Sequence, residues 1–162
     1  MSNGTIYLGI DPGKNTGFAV WMRKPKTQWF TEITTTDFHG AIEKIQEFQL
    51  VIAPQQDMRL VVVIEAANLN KSVHPSLLNK ITGTADEKLR RVLKIAQDVG
   101  GIRRECELLI GWCERQKITT IAAKPTAQSL TKLDAEKFNR LTGWTQRTNE
   151  HSRDAAMLVW GK

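Results

Sequence analysis

Three carboxylates in this chain stand where a charged side chain is costly. Asp11 closes the apolar segment Thr5–Ile10, and Glu65 closes Leu60-Val61-Val62-Val63-Ile64. Both segments read as strands, and a carboxylate at a buried strand end needs a partner or a cation. The third acid, Asp154, lies in His151-Ser152-Arg153-Asp154-Ala155-Ala156, where His151 and Asp154 share one face of a helix. The apolar Ala155, Leu158 and Val159 can anchor that helix on a sheet and turn Asp154 toward the strand ends. Three carboxylates gathered in one place repel one another unless a cation neutralises them. Oxygen-rich ligation without cysteine suits Mg²⁺ or Mn²⁺. Two such ions about 4 Å apart can activate a water and stabilise the leaving oxygen in phosphodiester hydrolysis. Taken singly, each acid reads equally well as a loop or helix cap, and Asp154 as an acid favoured by a helix N-terminus.

For the acids to meet, the strands ending at Asp11 and Glu65 must be parallel neighbours. The pattern allows this. Thr5–Ile10, Phe18–Met22 and Trp29–Thr34 are strand-like and joined by short turns, Pro12–Gly17 and Arg23–Lys26, which predicts an antiparallel meander. Helical spacing follows over about Asp37–Val51. The unbroken run Leu60–Ile64 reads as a central parallel strand buried on both faces. A long loop over residues 66–85 leads to a helix from about Asp86 to Gln116. Its stripe of Leu89, Val92, Ala96 and Val99 can pack on the sheet, against a partner helix, or both, and is expected to be mostly core. Gly100-Gly101 is expected to kink that helix or admit another backbone. Ile118–Ala122 is a fifth strand, and helices are expected near Ala135–Leu141 and Glu150–Trp160. The order predicts one α/β domain over residues 1–162, a mixed five-stranded sheet with helices on both faces.

Composition narrows the class. The chain has 162 residues, 41% hydrophobic and 25% charged, enough for a core without disulfides or structural metal. No apolar run approaches the roughly 20 residues of a bilayer span, and the first residues lack a signal-peptide layout. A cytoplasmic protein with no membrane partner is expected. Cys106 and Cys113 lie seven apart on one helix, about 10 Å along its axis, too far for a disulfide, so both read as buried thiols. His39 reads as a surface residue. The net charge of +6 is uneven: residues 1–65 hold six basic and seven acidic groups, residues 66–104 eight and three. A polyanionic partner fits that distribution.

With these residues in view, the chain resembles a known family. Ile6-Tyr7-Leu8-Gly9-Ile10-Asp11-Pro12-Gly13-Lys14-Asn15-Thr16-Gly17-Phe18-Ala19-Val20 looks like the opening of the RuvC-type Holliday junction resolvases. Val62-Val63-Ile64-Glu65 resembles their second acidic strand, and His151 to Ala156 their closing acidic helix in its His-x-x-Asp form. The blocks come in the family's order. The resemblance implies an RNase H-like fold, a homodimer, and a metal-dependent endonuclease acting on branched DNA with Mg²⁺ or Mn²⁺, two ions per site. Asp11, Glu65 and Asp154 would be catalytic carboxylate ligands, with His151 as ligand or proton-transfer group. A two-fold dimer suits a four-way junction, whose opposed strands it can nick symmetrically.

Candidate DNA contacts are Lys14, Lys71, Lys80, Lys88, Arg90, Arg91, Lys94, Arg103, Arg104, Lys124 and Lys132. Contacts of this kind position DNA without reading bases, and weaken steeply with salt. The sequence departs from the family in more than one respect: the closing helix is short, the lysines expected after the fifth strand are matched only loosely by Lys124, Lys132 and Lys137, and the loop after Glu65 differs. Residues 66–85 contain no Phe, Tyr or Trp to stack at the junction point, and His74 is the only ring there. Three other readings compete: a same-fold nuclease for other branched DNA or structured RNA, a non-catalytic DNA-binding scaffold, and an actin-like ATPase. The last rests on Gly9-Ile10-Asp11-x-Gly13-x-x-Thr16-Gly17, which resembles a phosphate loop, but that fold needs two domains.

Overall fold

The structure is a computed structural model and describes residues 4–55, 57–69, 80–124 and 132–162. Strands β1 (Gly4–Asp11), β2 (Thr16–Lys24) and β3 (Thr27–Thr36) form the expected antiparallel meander. Strand β4 (Met58–Glu65) adds in parallel to β1, and β5 (Thr119–Ala123) in parallel to β4. The order across the mixed sheet is β3-β2-β1-β4-β5. Four α-helices are described: α1 (Phe38–Ile52), α2 (Ala85–Arg115), α3 (Ala135–Thr142) and α4 (Glu150–Val159). A single 3-10 turn, Ala67–Leu69, follows β4.

Strand alternation assigns the two faces. Ile6, Leu8 and Ile10 of β1, Phe18 and Val20 of β2, and Val62 and Ile64 of β4 point to one side. There they pack with Ile45 of α1 and with Leu109 and Cys113 of α2. Ala19, Trp21 and Val63 point to the other side and meet Phe138 of α3 and Ala155, Ala156 and Val159 of α4. Trp21 and Phe138 flank Phe30, with ring centroids 4.6 and 6.4 Å away. The run Leu60–Ile64 within the interior strand β4 is apolar without interruption because both of its faces are covered.

Each helix begins where a side chain satisfies its free N–H groups. Asp37 caps α1 by accepting from the Gly40 N–H at 2.8 Å, and Asp134 caps α3 by accepting from Lys137. Thr84 and Glu87 form a reciprocal box at α2, as Asn149 and Ser152 do at α4. Gly143, with φ of 71°, ends α3 in the left-handed region.

Helix α2 runs unbroken through Gly100-Gly101, and a Cβ on either glycine would meet nothing within 4 Å among the described residues, so none of their backbone approaches there. The stripe at 89, 92, 93, 96 and 99 is not core: Leu89 is 58% and Leu93 60% exposed, and none of the five is buried. The reason is where the helix crosses the sheet. Cys106 meets the top of β4, its Sγ donating to the Glu65 carbonyl at 3.3 Å, while the Cys113 carbonyl accepts from Ile118 just before β5 begins. Only the last third, from Cys106 on, lies on the sheet. Residues 85–105 overhang the edge that bears Glu65, by about 30 Å at 1.5 Å per residue.

Both cysteines are buried and stand outside any disulfide, and burial pushes the Cys113 thiol up to about 11. His39 is exposed, its ring edge-on to Phe38. Among the described residues, no helix is long and apolar enough to cross a membrane.

Candidate active site

Strands β1 and β4 pair in register, Ile10 opposite Ile64, so Asp11 and Glu65 leave the sheet side by side. Alternation puts both on the face that α4 covers, with Tyr7 and Gly9 on β1 and Val61 and Val63 on β4. The closing helix reaches them because two glycines let it. A Cβ at Gly9 would overlap the Ala155 carbonyl, and one at Gly17 would overlap the His151 carbonyl. The helix backbone thus rests directly on β1 and β2, at a depth no other residue would allow.

The first turn of α4 is fixed in direction as well as depth. Asn149 accepts from the Ser152 N–H at 2.9 Å, and its own N–H donates to Ser152 Oγ at 3.0 Å. The Asn149 amide also donates to Thr35 Oγ1 at 3.0 Å, and Thr35 stands opposite Gly17 in the sheet. In the preceding turn, Thr16 Oγ1 donates to the Gly13 carbonyl at 2.9 Å.

This framework brings the predicted residues together. His151 Nδ1 lies 3.2 Å from Asp11 Oδ2, the Asp11 side chain being 13% exposed and that of His151 45%. The carboxyls of Asp11 and Glu65 stand close enough for each to shift the other's proton affinity. Burial first, then the neighbouring Asp11 carboxyl, push Glu65 up to about 7, while Lys132 works against the shift. Burial also raises Asp11, although hydrogen bonds from Glu65 and His151 hold it back. Asp154 is pushed up to about 6 by burial and then by the Glu65 charge, again opposed by Lys132. Asp154 also acts on Asp11 by charge alone.

Among the described residues, no three or more His, Cys, Asp or Glu side chains form a ready metal cage. The donor chemistry nevertheless fits a hard divalent ion. Burial first, and then the charge of neighbouring acids, disfavour the ionised carboxylates here, and a divalent cation can offset both.

The basic candidates divide into three groups. Lys14, in the turn after Asp11, and Lys124, one residue past β5, are exposed at the edge that bears the acids. Lys132 is exposed, and its charge reaches Glu65 and Asp154. Lys88, Arg90, Arg91 and Lys94 are exposed along the overhanging part of α2, with Lys80 just before it. Lys94 pairs with Asp98 at 3.6 Å, Arg104 with Glu107 at 3.4 Å, and Arg103 is half-buried. Lys71 and His74 lie outside the described residues.

Four supporting residues carried no role in the sequence reading. Gly9 and Gly17 stood inside a recognised block without being read as the seat of a helix. Asn149 was legible as a cap, three residues before a serine at a helix start. Arg153 lay between two predicted site residues, but its acceptors are backbone carbonyls and leave no sequence signature. Comparison with models of known protein families gives no match, and no curated protein matches the chain.

Proposed function

We propose that this protein is a divalent-metal-dependent endonuclease of RNase H-like fold that nicks branched DNA. Its substrate on this reading is the four-way junction, cut by a homodimer in the cytoplasm. The observation that carries the reading is the convergence of Asp11, Glu65 and His151 at one sheet edge, with Asp154 close enough to act on Asp11 by charge. The strand order, three antiparallel then two parallel, supports the RNase H-like assignment.

Asp11, Glu65 and Asp154 would hold the metal, with His151 beside them. Bound there, Mg²⁺ or Mn²⁺ would supply positive charge that lets the acids ionise together and offsets charge building on the phosphate. The chain's own residues do the rest. Glu65 holds a proton until a cation replaces it. Asp11 fixes the imidazole through Nδ1, which leaves Nε2 free to move a proton. Lys14, Lys124 and Lys132 would meet phosphates beside the acids, and the cations of the α2 overhang would hold a DNA arm further out.

The test is incubation of the protein with a mobile four-way junction, in Mg²⁺ and in EDTA, with the nicks mapped. Paired nicks in opposed strands, in Mg²⁺ alone, are expected. Faster cutting of flaps or structured RNA would move the substrate assignment. Absence of any metal-dependent cleavage would remove the nuclease reading.

A further inference from the structure

Arg153 sits between the two predicted site residues of α4, yet it does not serve as the counter-charge of its neighbour. The cation that acts most on Asp154 is Lys132, which is distant in sequence. The Arg153 guanidinium is spent elsewhere. Its Nε donates to the Leu133 carbonyl at 2.8 Å, and its Nη1 lies 3.3 Å from both the Thr148 carbonyl and Thr148 Oγ1. One planar group therefore joins the first turn of α4, the connector before it and the segment that leads into α3.

That segment is held from three sides. The Leu133 side chain packs on the cluster beneath α4 while its carbonyl accepts from Arg153. On one side, Asp134 caps α3 and bonds Lys137 Nζ at 3.0 Å. On the other side stands Lys132, exposed, with its charge on Glu65 and Asp154. A lysine on a flexible four-carbon stem is directed only as well as its backbone is fixed. The Leu133 carbonyl, adjacent to Lys132, is the point that Arg153 fixes.

We propose that Arg153 is a positioning residue of this site, whose clasp on Leu133 and Thr148 holds Lys132 beside Glu65 and Asp154, where Lys132 meets the phosphate under attack. The inference rests on the nuclease reading of the same site. A role as mere charge is distinguishable, because lysine keeps the charge but cannot span both acceptors in a rigid fork.

The experiment compares wild type, Arg153→Lys, Arg153→Ala, Lys132→Ala and the Arg153→Ala/Lys132→Ala double variant. Single-turnover nicking of a four-way junction in Mg²⁺ is measured beside junction affinity and the melting curve. Arg153→Ala and Arg153→Lys should each slow nicking by about 10-fold or more, since an ångström of misplacement can cost that much, with junction affinity little changed. The double variant should be no slower than the slower single, as two residues acting through one contact are non-additive. A second readout is independent of cleavage. The Lys132 side-chain NMR resonance in metal-free protein, assigned by its loss in Lys132→Arg, should move in both Arg153 variants. Wild-type nicking in Arg153→Lys, additive losses in the double variant, or an unmoved Lys132 resonance would each overturn the clasp. If Arg153→Ala does not fold, Arg153→Lys and the resonance decide. If wild type nicks no junction, the nuclease reading falls and the resonance still decides whether the clasp directs Lys132.

Discussion

His151 Nδ1 and Asp11 Oδ2 lie 3.2 Å apart, although 140 positions of chain separate them. That contact exists because a helix start, a strand end and two glycines coincide. Asn149 sets the helix start and Thr35 anchors it, while Gly9 and Gly17 let it down onto the strands. The imidazole is thereby aimed at the most buried acid of the group. The same coincidence sets the charge state of the neighbouring carboxylates.

Asp11→Asn, Glu65→Gln and Asp154→Asn should each reduce metal-dependent nicking by about 100-fold or more, the scale for losing a group that stabilises transition-state charge. Junction binding should persist, because the contacts that position DNA lie on lysines and arginines. Gel-shift and cleavage assays on one preparation check both halves. A variant that cleaves normally would remove its residue from the site.

The raised acids predict how stability depends on pH. Glu65 titrates near 7 in the fold against an ordinary 4.5, and Asp154 near 6 against 3.8. A group whose folded value is raised contributes stability below its ordinary value and loses it as pH rises through the folded value. In EDTA, the melting temperature should therefore fall as pH climbs from about 4 to about 7, while other carboxylates oppose the trend only at the acid end. Glu65→Gln, which needs no proton to stay neutral, should melt a few degrees above wild type at pH 8 in EDTA. Added Mg²⁺ should raise the wild-type melting temperature at pH 8 and leave that of Glu65→Gln less changed. Calorimetry across the range checks each arm.

The glycines of the first block should differ sharply. Gly17→Ala drives a methyl group into the His151 carbonyl, and Gly9→Ala does the same to Ala155. Each should cost about 1–3 kcal/mol, the usual cost of overpacking, and should weaken nicking by lifting α4. Gly13→Ala places its methyl in open space, with no heavy atom within 4 Å. With no clash to relieve, it should cost well under the loss at the other two. Urea melts of the three variants check the ranking.

The overhanging part of α2 presents Leu89 and Leu93, each more than half exposed. An apolar face of this kind on a helix needs a cover. On the homodimer reading, a second copy provides it. Leu89→Glu/Leu93→Glu should then convert a dimer of about 37 kDa, twice the 18.3 kDa chain, into a monomer. The monomer's core should be intact, because neither residue touches it. Sedimentation equilibrium with a parallel melting curve checks this. A wild-type monomer would remove the symmetric-nicking model.

Much of the fold was legible in the sequence. Alternation in β1, the apolar stretch Phe18–Met22 of β2, the uninterrupted run Leu60–Ile64 of β4 and the short turns between the first strands led to the observed sheet. The same pattern placed Asp11 and Glu65 at one edge, because a parallel pair in register aligns its ends. The fate of α2 was not legible. Leu89 and Leu93 have the spacing of core residues, and periodicity records that a helix has an apolar face without recording whether the sheet extends far enough to meet it. The Gly100-Gly101 pair misled for a related reason. Glycine signals a close approach only where something is near, and Gly100 and Gly101 face open space, unlike Gly9 and Gly17. The clasp of Arg153 on the Leu133 carbonyl could not be read at all, since any residue at 133 supplies a carbonyl.

The docking of α4 has a consequence for synthesis. A nascent chain emerging from the ribosome can form β1 to β5 before the residues of α4 are made, because α4 follows all five strands. Until α4 packs, Asp11 and Glu65 lie at the sheet edge without His151 or Asp154. On the proposed reading, a product stalled before α4 holds an incomplete site, and cutting begins only once that helix has docked.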